Sequence, residues 1–593
     1  MKINTPKWVV LLSLGLTFLT VEEASAQGKA ALSETFVELA DPTADVNADW
    51  SKVGPGLHSS FVTIDKRFAK SLAPEIAKQN RVKIEGWKGE KLSAQILLWT
   101  NADIADVHVD VSDLVSKNKA VISKTASDAR FVRYVMTDEF AGGCGYRKPE
   151  DFASSLAPDM LDNLKSFDIQ KKTARPVWIS VKIPENAQAG LYQGIVTISA
   201  KGQPSQKLAL ELDVINQTLP KATEWSYHLD QWQHPSAVAR VEGLEMWSDA
   251  HFEAMKPVMQ MLADAGQKVI TTTLNKDPWN VQTYDPYADM ITWTKNSDGT
   301  WTYDYAVFDH WVQFMMDLGV DDMINCYSII PWNNEIHYQD AAKGELVNVV
   351  TKPGTAIFEE LWTPFLKDFV KHLDAKGWLK KTNIAMDERE REQMDAAFAL
   401  LEKVAPEIGI SYADNQKTYQ RFPNSEDISI SVGHPFSKDD IMDRHKRGLN
   451  STFYICCSDG FPNQFTFSEP AESTYLGWYA LATGFDGMLR WAYNSWVENP
   501  LTDSRFRTWP AGDTYIVYPK GRSSIRYERM LEGIQDYEKA RIVMNALKAK
   551  NDQKSIDSFQ TAINKMEANQ RFDGWNEELN NAKTLLNELS RSL

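Results

Sequence analysis

Cysteine is nearly absent from this chain: Cys144, Cys326, Cys456 and Cys457 are its only four in 593 residues, too few for a fold built on disulfides. Cys456 and Cys457 are adjacent, so on a strand their side chains face opposite ways, which predicts one core thiol and one partly covered thiol. Histidine is sparse too, with ten scattered residues and no Cys/His cluster at zinc-ligand spacing, so neither a metal nor a cofactor is expected. Basic residues are outnumbered, 64 Lys+Arg against 80 Asp+Glu, and the net charge of −16 speaks against a nucleic-acid binder, which needs a concentrated basic face. No stretch of the mature chain approaches the roughly 18 uninterrupted apolar residues of a bilayer span, so no transmembrane anchor is expected.

What is present begins with a leader. Lys2 and Lys7 precede an apolar run from Trp8 to about Val21, and Ala24-Ser25-Ala26 fits a signal-peptidase site. Residues 1–26 therefore read as a signal peptide, and the protein as exported, periplasmic or secreted. No cysteine follows the cleavage site closely enough for a lipid anchor. Twenty Trp and twenty Tyr supply amphipathic rings that suit both core packing and stacking against sugars.

Residues 27–220 are rich in short alternating or β-branched runs, including 93–99, 107–111, 176–183 and 194–200, which predict an N-terminal β-sandwich acting as a rigid support. After Leu219-Pro220 the pattern changes to β-like runs alternating with amphipathic helices. Eight runs stand out, at 226–229, 269–274, 324–330, 383–386, 410–413, 428–432, 452–456 and 487–491. Intervening helices are predicted at 248–265, 308–318, 357–375, 390–404, 437–446 and 469–482, with a poorly defined one between the fifth and sixth runs. Eight β units predict a (β/α)8 TIM barrel over 221–522. From 523 to 593 an apolar period near 3.6 predicts a C-terminal helical appendage. The fold class is thus multidomain α/β. Apolar helix faces in the last region could pack internally or against another copy, which leaves the oligomeric state open.

Reacting groups of such barrels sit at the C-terminal ends of the strands. The fourth run, Thr382-Asn383-Ile384-Ala385-Met386-Asp387-Glu388-Arg389, ends in two acids just before a helix. Adjacent residues of a regular strand face opposite sides, so both acids address one pocket only where the strand geometry ends, which is where they stand. Acidic residues also favour the first turn of a helix, but the barrel mouth turns the balance toward chemistry. Two neighbouring acids suit hydrolysis of a 2-acetamido sugar, whose own carbonyl oxygen replaces an enzyme nucleophile. Glu388 would protonate the leaving oxygen and later deprotonate water, while Asp387 would hold the acetamide N–H and stabilise an oxazolinium-like intermediate. The charge of Asp387 would also help Glu388 to keep its proton.

Other strand exits offer the substrate-binding candidates Asn275, Trp332, His434, Tyr454, Trp491, Tyr493 and Trp496, along with Asp414, Asn415 and Asp459. Trp491 with Tyr454 or Tyr493 could enclose the acetamide and supply a donor to its oxygen. Asp414 or Asp459 would matter if Glu388 worked instead with a distant carboxylate, in a conventional glycosidase. A third reading is a non-catalytic exported glycan-binding protein.

Several motifs resemble glycoside hydrolase family 123: Tyr227-His228-Leu229-Asp230-Gln231-Trp232, Ala385-Met386-Asp387-Glu388, Gly484-Phe485-Asp486-Gly487-Met488-Leu489-Arg490-Trp491-Ala492-Tyr493-Asn494, Trp509-Pro510-Ala511-Gly512-Asp513, and the stretch from Ser524 through Tyr537. The likeness runs from about Trp225 to Arg541. It implies a retaining exo-β-N-acetylgalactosaminidase whose catalytic Asp-Glu pair is Asp387 and Glu388. It also implies, as partner, a glycolipid or oligosaccharide glycan ending in β-GalNAc.

Overall fold

The computed structural model describes residue 33 and residues 35–593, apart from 45, 139–142, 146, 147 and 435. The expected leader at 1–26 lies outside the described residues.

All eight predicted β runs form one sheet, parallel at each paired edge. In chain order its strands are His228–Gln231, Val269–Thr273, Met323–Tyr327, Thr382–Met386, Gly409–Asp414, Asp427–Ser431, Asn450–Tyr454 and Gly487–Arg490. Most of their residues are buried on both faces, because helices cover the outside and side chains fill the inside. The first strand pairs with the eighth, and the sheet runs on through neighbours to the second. Between the first and second strands the ladder thins to a bridge at Leu229 and Gln267. Glutamine amides complete that seam: Gln267 accepts from the Gln231 N–H at 3.0 Å and donates to the Val269 carbonyl at 2.7 Å, and Gln233 accepts from the Thr271 N–H at 2.8 Å. Polar side chains thus satisfy buried backbone groups that a regular ladder would otherwise pair.

Helices Asp249–Asp264, Ala306–Asp317, Ala356–Lys376, Arg391–Val404, Lys438–Lys446 and Pro470–Thr483 alternate with the strands. Local signals set their ends, as where Ser248 and Ser437 accept the third N–H of the helix each precedes. Between the fifth and sixth strands there is only the short turn Thr418–Gln420, where the sequence pattern was weakest. The sequence gives no hint of the four-stranded sheet made by Thr292–Lys295, Trp301–Asp304, Glu335–Asp340 and Glu345–Val350, carried by the connections that follow the second and third barrel strands.

The N-terminal region holds two sheets, ordered around Lys91–Thr100, Thr173–Lys182 and Ser127–Thr137 in one and Gln206–Thr218 and Gly190–Ser199 in the other. Their inward residues, among them Ile96, Val177, Phe131, Leu210 and Val196, form a single apolar cluster.

The C-terminal region contains helices Ile525–Ala549, Gln553–Asn564 and Trp575–Arg591. The first of these packs on the barrel and on the two-sheet region together. It is buried nearly all round and ties the two-sheet region to the barrel through paired polar groups. Arg526 meets Asp159 at 2.8 Å, Lys539 meets Glu90 at 2.9 Å, and Glu538 accepts the Tyr227 N–H at 2.7 Å at the start of the first barrel strand. Against helix Pro470–Thr483 it packs so closely that a Cβ on Gly477 would lie 2.1 Å from the Gly533 carbonyl oxygen. Only glycine fits such an approach. The apolar period near 3.6 announced the helix but not its buried charges, because the sequence does not show that each has a partner.

Candidate active site

Strand Thr382–Met386 ends directly before Asp387, and helix Arg391–Val404 begins four residues further on. In that short irregular stretch both carboxyl groups turn into one cavity of about 350 Å³ at the C-terminal mouth of the barrel. Trp232, Ala413, Tyr454, Leu489 and Trp491 give it an apolar wall, and Gln282, Trp332 and Trp509 line it as well. Cys144, Gly145, Cys456 and Cys457 complete the lining. Beneath it the rings of Trp232, Trp279 and Tyr327 pack with centroids 4.7–5.0 Å apart. Interlocked rings of this kind hold the floor rigid.

Asp387 accepts the Trp332 indole N–H at 2.8 Å on one oxygen and the Glu388 backbone N–H at 2.9 Å on the other. Burial nonetheless holds its carboxyl above the ordinary range, against those hydrogen bonds and the Arg389 charge. Glu388 is pushed up to about 7, first by burial and then by the neighbouring Asp387 charge. Asn415 donates to one Glu388 oxygen at 3.1 Å, and the Tyr454 hydroxyl donates to the other. A carboxyl poised near neutrality beside an opening is suited to both giving and taking a proton.

The supporting residues have fixed positions. Arg389 lies over the Trp332 ring, 5.1 Å from its centroid, and donates to the Trp332 carbonyl and to Asn334 at 3.2 Å each. Trp491 donates to Asp513 at 3.2 Å and meets Trp509 edge-on, while Trp509 donates to the Gln282 carbonyl at 2.9 Å.

Of the sequence candidates, Asp387, Glu388, Trp332, Tyr454 and Trp491 line the cavity, and Asn415 reaches it through Glu388. Four others do not. Asn275 is buried and exchanges two hydrogen bonds with the His337 backbone, pinning strand Glu335–Asp340. His434 is exposed beside the barrel mouth. Tyr493 points inward and donates to the Val258 carbonyl at 2.9 Å, and Trp496 donates to the Val517 carbonyl at 2.8 Å. Tyr493 and Trp496 lie beyond the eighth strand, where the chain has left strand geometry and alternation no longer assigns faces. Asp414 caps its own loop by accepting the Gln416 and Thr418 N–H groups, and Asp459 accepts the Cys456 N–H at 2.9 Å.

The cysteines also differ from expectation. Cys457 is no free thiol: it is bonded to Cys144, 313 residues away, while Cys456 is a half-buried thiol and Cys326 a buried one. Strand alternation speaks only of local faces, so a partner in another domain is invisible to it. Trp232 and Trp509 stood inside quoted motifs, and for Trp232 the position directly past the first barrel strand was an available signal. For Gln282, Cys144 and Gly145 the sequence offers none.

An acid pair at a barrel mouth, above an aromatic floor, is an arrangement suited to glycoside hydrolysis. The chain belongs to glycoside hydrolase family 123: the model of that family's catalytic domain matches residues 232–543, and the model of its N-terminal domain matches residues 61–200. Among solved structures, a family 123 glycoside hydrolase from Clostridium perfringens, presented in a study of glycolipid glycan hydrolysis, is 28% identical with a TM-score of 0.83, over 90% of this chain and 98% of that one. A GH5 xyloglucanase from Bacteroides ovatus aligns over 80% of this chain and 100% of that one at 9% identity, but its TM-score of 0.28 carries no argument. Comparison with curated proteins gives no match.

Proposed function

We propose that the protein is a retaining exo-β-N-acetylgalactosaminidase that works by substrate assistance, on glycolipid or oligosaccharide glycans ending in β-GalNAc. One observation carries the reading: among the described residues that line the cavity, Asp387 and Glu388 are the only carboxylates. A conventional retaining pair flanks the scissile bond from two sides about 5 Å apart. Chain neighbours emerging from one strand end suit a mechanism in which the substrate brings its own nucleophile. Asp414 and Asp459, the alternatives for a separated pair, are engaged with backbone amides.

In this mechanism protonated Glu388 gives its proton to the glycosidic oxygen as the acetamide carbonyl oxygen attacks C1 and the C1–O bond breaks. Asp387, ionised, accepts the acetamide N–H and stabilises the cationic oxazolinium ring. Water then adds to C1 from the vacated side while the Glu388 carboxylate takes its proton. Two inversions at C1 retain the β configuration. The apolar wall of Trp232, Leu489 and Trp491 suits the acetamide methyl, and the Tyr454 hydroxyl stands close enough to redirect its hydrogen bond to substrate. The leader motif and the presence of a disulfide support an exported location, periplasmic or secreted.

The test is hydrolysis of matched aryl β-GalNAc, β-GlcNAc and β-galactoside substrates with a GalNAc-thiazoline alongside. Turnover confined to β-GalNAc and blocked by the thiazoline is expected. Galactoside turnover indifferent to the thiazoline would sink the mechanism.

A further inference from the structure

The disulfide sits in an unexpected place. Cys144 belongs to the connection after strand Ser127–Thr137 of the two-sheet region, and Cys457 to the loop after the seventh barrel strand. Cys144, Gly145 and Cys457 line the same cavity as Asp387 and Glu388. The stem of this connection is itself built onto the barrel. Met136 exchanges backbone hydrogen bonds with Thr502 at 2.8 Å and Ser504 at 2.9 Å, and Asp138 accepts the Ala511 N–H at 3.2 Å. Cys456 stands beside the bridge, its sulfur within 4.8 Å of both others. Burial pushes its thiol well above the ordinary range, so it stays protonated and is a poor attacker of the bridge.

From these placements we infer that the two-sheet region supplies part of the sugar-binding pocket: the Cys144–Cys457 bridge holds Cys144 and Gly145 as one wall of the cavity and thereby sets substrate affinity. The inference extends the proposed function to a second domain and rests on that reading for its choice of substrate. The bridge touches neither acid through any hydrogen bond, so opening it acts on binding rather than on proton transfer. Reduction by a dithiol such as dithiothreitol, which is itself oxidised to a cyclic disulfide, delivers two electrons and two protons and leaves Cys144 and Cys457 as thiols. Pocket affinity then becomes dependent on redox conditions.

The experiment compares the full-length oxidised protein with the double variant C144S/C457S, which removes the bridge and keeps Cys456 as a reporter. The aryl β-GalNAc KM is expected to rise about tenfold with kcat within about twofold, the signature of lost binding shared by ground and transition states. Alkylation of Cys456 by iodoacetamide, read by tandem mass spectrometry, is expected to accelerate about tenfold as the wall opens. Treating the parent with dithiothreitol should reproduce both changes, and circular dichroism checks that the variant is folded. An unchanged KM in folded variant overturns the inference, and so does a fall in kcat at constant KM. Should the parent fail to hydrolyse β-GalNAc, the proposed function falls and the wall is judged by alkylation alone: an unchanged rate overturns it, an accelerated one supports it.

Discussion

Two regions of this molecule bury carboxylates, and they do so on opposite terms. Along helix Ile525–Ala549 each acid is met by a cation or by backbone amides: Asp159 by Arg526, Glu90 by Lys539, Glu538 by the amides of Ser226 and Tyr227. At Asp65 burial alone would raise the pKa, yet Arg529 and Lys583 bring it below the ordinary range. At the mouth of the barrel the order reverses. Burial, and after it the charge of the neighbouring carboxylate Asp387, raise Glu388 to about 7. The first arrangement keeps charges fixed and joins domains; the second keeps a proton in play. Burial therefore does not mark a reactive acid, and neither does a raised pKa by itself. Asp230 is raised to about 8 by burial and Asp427, and Glu472 to about 7 by burial. Asp230 lies inside the barrel, and Glu472 is bound by Arg571 and two backbone amides. Glu388 is the raised glutamate that lines the cavity.

The contrast is sharpest under substitution. Glu388→Gln should lower kcat/KM by about 10³ on substrates with poor leaving groups and far less on activated aryl glycosides, since general acid catalysis contributes about 10²–10⁴. In the parent, kcat/KM for the poor leaving group should fall as pH rises through about 7, where Glu388 loses its proton, and this limb should vanish in the variant. Equal losses on both substrate types would break the assignment of the acid. In the paired region, Asp159→Asn should cost stability instead, about 3–5 kcal/mol by chemical denaturation, because Arg526 is left buried without its partner. The alkaline limb of the folded variant should not move. Asp387→Asn should reduce kcat by about 10²-fold whatever the leaving group, as expected for removing one stabiliser of transition-state charge. Trp332→Phe removes the N–H that Asp387 accepts while keeping an aromatic, though smaller, ring, and should cost about tenfold in kcat. If it changes KM alone, Trp332 acts as a sugar platform and not through Asp387.

The sequence was most legible where geometry is periodic. All eight barrel strands fell within a few residues of the expected runs, since residues buried on both faces leave short apolar blocks between helices. The placement of Asp387 and Glu388 at the cavity was legible because a strand end is a local event. Tyr493 and Trp496 misled because they follow the eighth strand in sequence, yet their hydrogen bonds to Val258 and Val517 turn them into the core. Non-local contacts left no local trace at all. The bridge from Cys144 to Cys457 spans 313 residues, and Gln282 lines the cavity with its carbonyl accepting the indole N–H of Trp509, 227 positions away. Helix Ile525–Ala549 was legible as a helix, but its role in joining two domains was not, because pairing of its charges depends on residues hundreds of positions upstream.

The smallest expected effect tests the same contrast through stability. Glu388 holds its proton up to about pH 7 in the fold, against an ordinary value of 4.5. Below about pH 4.5 folded and unfolded chains both carry that proton, and the residue adds no pH dependence. Between about 4.5 and 7 the unfolded chain has lost the proton while the fold retains it, so stability falls as pH rises and then levels off. A glutamine at this position removes the dependence. Glu388→Gln should therefore melt with the parent near pH 4.5 and about 1 °C above it at pH 8, a small gain because the site is partly open and the chain is large. Asp65→Asn should show the opposite sign, losing stability at pH 8 because there the charge is paired with Arg529. Matching signs in the two variants would mean that the barrel mouth and the domain seam treat their acids alike, and the distinction between a reactive and a structural carboxylate in this protein would collapse.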